Sequence, residues 1–125
     1  EDQSPVRTER QTKSVSAEET FAVDVTEAGV LSDELAKMAE RVAASLSKHG
    51  LVARTVTLKL RSADFTTVTR SASRERATAG AEAILAEAVQ LLSANWREGD
   101  PVRLIGVGVS NLRPVQAPGQ LSMDI

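Results

Sequence analysis

The sequence has no cysteine, no tyrosine, one histidine, and only three aromatic side chains, Phe21, Phe65 and Trp96. Without cysteine there is neither a disulfide framework nor a thiolate site, a composition that suits a reducing cytoplasm. The lone histidine, His49, falls just before Gly50 at the end of a helical pattern, where it favours the helix dipole and has no catalytic partner at a useful spacing. So few aromatics leave no platform on which unpaired bases would stack, which argues against a reader of single strands. No apolar run approaches the roughly 20 residues of a membrane span, and the acidic start, Glu1 to Pro5, lacks the apolar segment of a secretory signal. There is no phosphate loop, and Gly106-Val107-Gly108 lies in a strand pattern with no helix behind it.

What is present fits one domain. The 125 residues are 42% hydrophobic, with a mean hydropathy of -0.15, enough for a single core plus short tails. Formal net charge is -2, yet the charges are segregated. From Ser16 to Glu40 there are seven acids and one base, whereas from Arg54 to Arg76 there are six bases and two acids. One surface can therefore attract polyanions on a mildly acidic molecule.

Residues 1–12 are polar and aperiodic and read as a linker. Lys13 to Val25 is rich in β-branched and aromatic positions and predicts a strand. Ser32 reads as the N-cap of a helix, with Asp33 and Glu34 in its first turn. Leu31, Leu35, Met38, Val42 and Leu46 recur at helical spacing until Gly50. From Arg54 to Arg61, Val56, Leu58 and Leu60 alternate with Thr55, Thr57, Lys59 and Arg61, the pattern of a half-buried strand. A polar turn at Ser62 to Asp64 leads to a threonine-rich run, Phe65 to Ser71, predicting a hairpin. A second helix spans about Thr78 to Asn95, its apolar stripe running into Trp96. The last strand, Val102 to Ser110, places Ile105, Val107 and Val109 on one side and Gly106, Gly108 and Ser110 on the other. The order β-α-β-β-α-β predicts an α+β two-layer sandwich, a four-stranded antiparallel sheet with two helices on one face.

The acids fall on helix surfaces and in turns rather than in a cluster that two catalytic metals could share, so no active site is expected. Nucleic-acid binding suits the residues better. Thr57, Lys59 and Arg61, with Thr69, Arg70 and Ser71 on the neighbouring run, bring hydroxyls and bases to a bare sheet face, and these are the groups that hold phosphates. Gly106 and Gly108 remove bulk, so a sugar-phosphate chain can approach the backbone. With few aromatics, duplex contact is favoured over base stacking. Beyond the domain, residues 113–125 begin with a breaker-rich segment. They end in Gln120, Leu121, Met123 and Ile125, an amide followed by alternate apolar side chains, the form of a peptide that lies extended in a partner's groove.

Several of these segments together resemble a known family. Lys13-Ser14-Val15-Ser16 with Glu19-Thr20-Phe21, Thr57 to Arg61 with Asp64 to Thr67 and Thr69 to Ser71, and Val102 to Leu112 resemble the little-finger domain of Y-family DNA polymerases of the bacterial polymerase IV type. The resemblance covers residues 13–112, and residues 120–125 match the place and character of that family's sliding-clamp-binding tail. It implies a DNA-binding piece of an error-prone translesion polymerase. The catalytic core of such an enzyme, with its magnesium-binding carboxylates, precedes this domain and is not in these residues, so the piece itself would carry no cofactor. Its partners would be primer-template DNA, the bacterial sliding clamp and that core. The DNA-facing residues carried over by position are Lys13, Ser14, Ser16, Thr57, Lys59, Arg61, Thr69, Arg70, Ser71, Arg103, Gly106 and Ser110; the clamp-facing ones are Gln120, Leu121, Met123 and Ile125. Departures are Gly108, where relatives commonly carry a base, and the Met123-Asp124-Ile125 ending in place of Leu-Phe. Simple alternation also gives Arg103 the side of Ile105. Two other readings compete: a small-molecule-sensing regulatory module, which needs an apolar dimerising face, and an adaptor that uses only the tail.

Overall fold

The computed structural model describes residues 14–115, which form β1 (Ser14–Val25), α1 (Ala28–Lys48), β2 (Leu51–Ser62), β3 (Thr67–Thr78), α2 (Ala81–Asn95) and β4 (Val102–Pro114). The strands make one antiparallel sheet in the order β1-β4-β2-β3, so the last strand lies between the first two. Alternation explains the layering. Val56, Leu58 and Leu60 of β2 and Ile105, Val107 and Val109 of β4 join one core with Leu31, Leu35, Met38, Val42 and Leu46 of α1 and Ile84, Ala88 and Leu92 of α2. α1 packs against β1 and β4, and α2 against β2 and β3, and among the described residues no second layer covers the opposite sheet face.

The expected element order holds, and the boundaries differ for physical reasons. α1 starts at Ala28, a turn before Ser32, so Asp33 and Glu34 lie beyond its first turn. Its N-cap residue, Glu27, makes no side-chain cap. Glu98, from the loop before β4, supplies the acceptor instead, its Oε2 taking the Ala28 N–H at 3.1 Å. The helix ends as expected, with Gly50 at φ +65° in the left-handed region that a side chain disfavours. β3 continues to Thr78 through Ser73, Arg74, Glu75 and Arg76, a charged run with no apolar alternation; such residues suit an edge strand, where they discourage further pairing. Thr78 therefore belongs to β3 rather than to α2, and its Oγ1 accepts the Gly80 N–H at 2.9 Å. Trp96 lies just past α2, half-buried against the core, with Nε1 donating to the Asp100 carbonyl at 2.9 Å.

Two irregularities reshape β4. Leu104 pairs with Arg61 but Val102 with Ser62, so β4 spends one residue more than β2 between these pairs, which is a β-bulge at Arg103. The bulge returns Val102 to the helix-covered core, while Leu104, 7% exposed, stays outside it in register with Gly106, Gly108 and Ser110. At the other end Asn111 has φ +56° and turns its amide onto Thr55, Nδ2 to Oγ1 2.6 Å, after which Leu112 packs toward the core.

Candidate nucleic-acid interface

The register lays the uncovered face out as four rows running across β1, β4, β2 and β3. They are Thr20, Leu104, Arg61 and Thr67; Glu18, Gly106, Lys59 and Thr69; Ser16, Gly108, Thr57 and Ser71; and Ser14, Ser110, Thr55 and Ser73. Hydroxyl groups dominate this surface because ten of its sixteen positions are Ser or Thr: all four on β3, three on β1, two on β2 and one on β4. They pair sideways: Thr57 Oγ1 lies 2.7 Å from Ser71 Oγ, and Thr55 Oγ1 lies 3.0 Å from Ser73 Oγ. Arg61 Nε donates to Thr67 Oγ1 at 3.0 Å, which spreads the guanidinium along the surface.

Down the middle, Gly106 and Gly108 leave a trough. A depression of about 170 Å³ is lined by Ser16, Glu18, Thr57, Lys59 and Thr69 with the two glycines, and it continues toward Ser14 and Ser110. Close strand approach requires the missing side chain at Gly106, where an added Cβ would stand 3.0 Å from Glu18 Cβ. Gly108 is less tight, at 3.3 Å from Ser16 Cβ. Across the trough, Lys59 Nζ meets Glu18 Oε1 at 3.6 Å.

Most of the sequence-derived positions come together here: Ser14, Ser16, Thr57, Lys59, Arg61, Thr69, Ser71, Gly106 and Ser110 all stand on the four rows. Arg70 does not. It pairs with core-facing Leu58, which turns it to the opposite side of edge strand β3 from Thr69 and Ser71; its Nη1 donates to the Thr69 carbonyl at 2.9 Å. Arg103 sits at the bulge, half-buried, with Nε donating to Asp24 Oδ1 at 3.2 Å and its guanidinium 4.8 Å from the centre of the Phe65 ring. Lys13, Gln120, Leu121, Met123 and Ile125 lie outside the described residues. The sequence reading missed Glu18 as a member of the face, although Ser14, Ser16 and Glu18 share one alternation; what was needed was the register that sets it against Gly106 and Lys59.

The turn that closes β2 onto β3 is held by Asp64, whose Oδ1 accepts from Ser62 Oγ at 2.8 Å and from the Thr66 N–H at 3.0 Å. The Thr66 backbone N–H, followed by the Ser62 and Thr66 side chains, holds the Asp64 carboxyl below the usual aspartate range. Phe65, at φ +69° and exposed, completes this turn. Among the described residues no group of three or more His, Cys, Asp or Glu side chains is placed to share a metal ion, and no helix is long and apolar enough to cross a membrane.

The model of the impB/mucB/samB family C-terminal domain matches residues 12–123. The chain belongs to this family. DNA polymerase IV of Halorhodospira halophila is 45% identical over 115 residues, covering 92% of this chain and 32% of that protein. The enzyme of Alkalilimnicola ehrlichii is 44% identical over 111 residues, 89% of this chain and 31% of its own. That of Streptomyces coelicolor is 40% identical over 111 residues. The chain thus spans about a third or less of the curated relatives it matches. A solved complex of the beta-clamp processivity factor and the little finger domain of PolIV shares the fold, with a TM-score of 0.65 over 83% of this chain and 93% of that one, at 23% identity. As a member of this C-terminal domain family, the chain covers one sheet face with its helices and places the hydroxyl-lined rows on the other.

Proposed function

We propose that this domain holds primer-template duplex for a lesion-bypass DNA polymerase, with the uncovered sheet face against the sugar-phosphate backbone. The observation that carries this reading is the composition of that face: hydroxyls, two bases and a glycine trough where a second hydrophobic layer would otherwise sit. Such groups position a duplex without reading bases, as a polymerase that must slide over any sequence requires. The rows hold no aromatic side chain, which favours paired over unpaired DNA. They also hold no contiguous apolar patch, which speaks against a dimerising regulatory module.

The rows carry two bases, Lys59 and Arg61, against one acid, Glu18, so their charge is modest and the grip of the isolated domain is weak. Tethering supplies the rest. Catalysis belongs to a core outside this chain, where two-metal chemistry would be housed. Gln120, Leu121, Met123 and Ile125 form the proposed docking peptide for the sliding clamp, which keeps the polymerase near primer ends by raising its local concentration. The test is a titration of a short primer-template duplex into the 15N-labelled chain. The largest amide shifts are expected in β1, β4 and β2 around Ser16, Thr57, Gly106 and Gly108; shifts confined to α1 and α2 would refute the proposed grip.

A further inference from the structure

Glu18 is the single acid on the four rows of the open face, and it stands in the trough where the proposed reading places a phosphate. Its Oε1 lies 3.6 Å from Lys59 Nζ, with the two side chains 52% and 40% exposed. The pair spans β4, and it exists because residue 106 has no side chain between them: Glu18, Gly106 and Lys59 are one row. A pair this exposed adds little to folding. Its effect is on charge, since the base nearest the centre of the trough is neutralised by its own chain, leaving Arg61 as the other base on the rows.

We propose that Glu18 limits the affinity of this face for duplex DNA by competing with a phosphodiester for Lys59. The inference rests on the open-face reading and deepens it. A phosphate that engages Lys59 meets an ammonium already paired at 3.6 Å with a carboxylate, so each engagement competes with that anion and releases less counterion than a free lysine would. A duplex held this way dissociates and re-registers readily, which suits a domain that must follow a growing primer end.

The test is Glu18→Gln in the 125-residue chain, a change that keeps the shape of β1. Duplex affinity is read by fluorescence anisotropy over a salt series, beside Lys59→Ala, the double variant and Arg61→Ala, with thermal melts showing that each is folded. A freed Lys59 steepens the dependence of log K on log salt by about 0.9 and tightens binding up to about eightfold at 0.1 M salt, if the added contact contributes nothing at 1 M. In the Lys59→Ala background the same change should add no slope. Unchanged binding by Glu18→Gln alongside weakened binding by Arg61→Ala overturns the competition and leaves the open face standing. An equal gain with and without Lys59 also overturns it, because Glu18 would then repel DNA directly. Unchanged binding by Arg61→Ala, by contrast, counts against the open face itself.

Discussion

Asp24 and Arg103, 79 residues apart in sequence, meet at 3.2 Å where the end of β1 lies against the start of β4. The bulge at Arg103 makes this possible by turning the guanidinium away from the position that strict alternation would give it, and the Phe65 ring covers it at 4.8 Å. A half-buried ion pair and a cation-π contact each contribute on the order of 0.5–1 kcal/mol. Arg103→Ala should therefore lower stability by about 1–2 kcal/mol, a fall in Tm of roughly 4–16 °C for a domain of this size. Duplex affinity of the folded variant should change little. Calorimetric melting and anisotropy on the same sample check both halves; a stable variant that loses DNA would make Arg103 a phosphate contact instead.

Gly106 and Gly108 differ in a way that melting experiments can read. Alanine in a strand gains roughly 0.5–1 kcal/mol over glycine from chain entropy. At residue 106 that gain meets a contact at 3.0 Å with Glu18 Cβ and another at 3.4 Å with the Ala17 carbonyl oxygen, and overpacking of this kind costs about 1–3 kcal/mol. Gly106→Ala should be destabilising by about 1 kcal/mol, while Gly108→Ala, at 3.3 Å from Ser16 Cβ, should lie near neutral, within about 0.5 kcal/mol. Equal effects at the two positions would mean that β1 yields freely along its length.

The Asp64 turn gives a pH dependence with a definite sign. Because its hydrogen bonds from Thr66 and Ser62 lower the folded-state value, the carboxylate adds stability above the unfolded value, and that stability is lost as pH falls through the lower folded one. Asp64→Ala should be less stable than the parent at pH 7, and the gap should narrow as pH drops below about 4. Urea unfolding at several pH values measures this; a gap that is constant down to pH 2 would show that ionisation of Asp64 plays no part.

How much was legible in the sequence depended on whether a signal was local. Leu31 to Leu46 and Val56 to Leu60 carry their periods openly, and a helix and a strand cover those residues, although α1 begins earlier, at Ala28, and β2 begins earlier, at Leu51. The start of α1 was obscured because its cap comes from Glu98, 70 residues away. Half of β3 was missed because Ser73 to Arg76 is polar on both faces, as an unpaired edge permits. On the site itself, alternation alone separates Arg70 from Thr69 and Ser71, but only pairing with Leu58 tells which of them shares the uncovered face. Glu18 was overlooked for the same reason: its significance lies in its row partners on β4 and β2.

The proposed docking peptide is independent of the sheet. Deleting residues 120–125 should abolish binding to a bacterial sliding clamp and leave duplex affinity nearly unchanged. A contact this small falls below the area of standard stable interfaces, so the affinity it supplies should be on the order of micromolar. Calorimetric titration of the clamp into the intact and truncated chains decides this, and equal binding by both would remove the tail from the account.

The central claim is that the face bearing Arg61, and not the side bearing Arg70, holds the duplex. The most direct test compares Arg61→Ala with Arg70→Ala in a salt series of duplex affinity. Arg61→Ala should weaken binding for all sequences alike and reduce the slope of log K against log salt by about 0.9, while Arg70→Ala should match the parent. A slope lost in Arg70→Ala and kept in Arg61→Ala would place the DNA on the other side of the sheet and contradict the account.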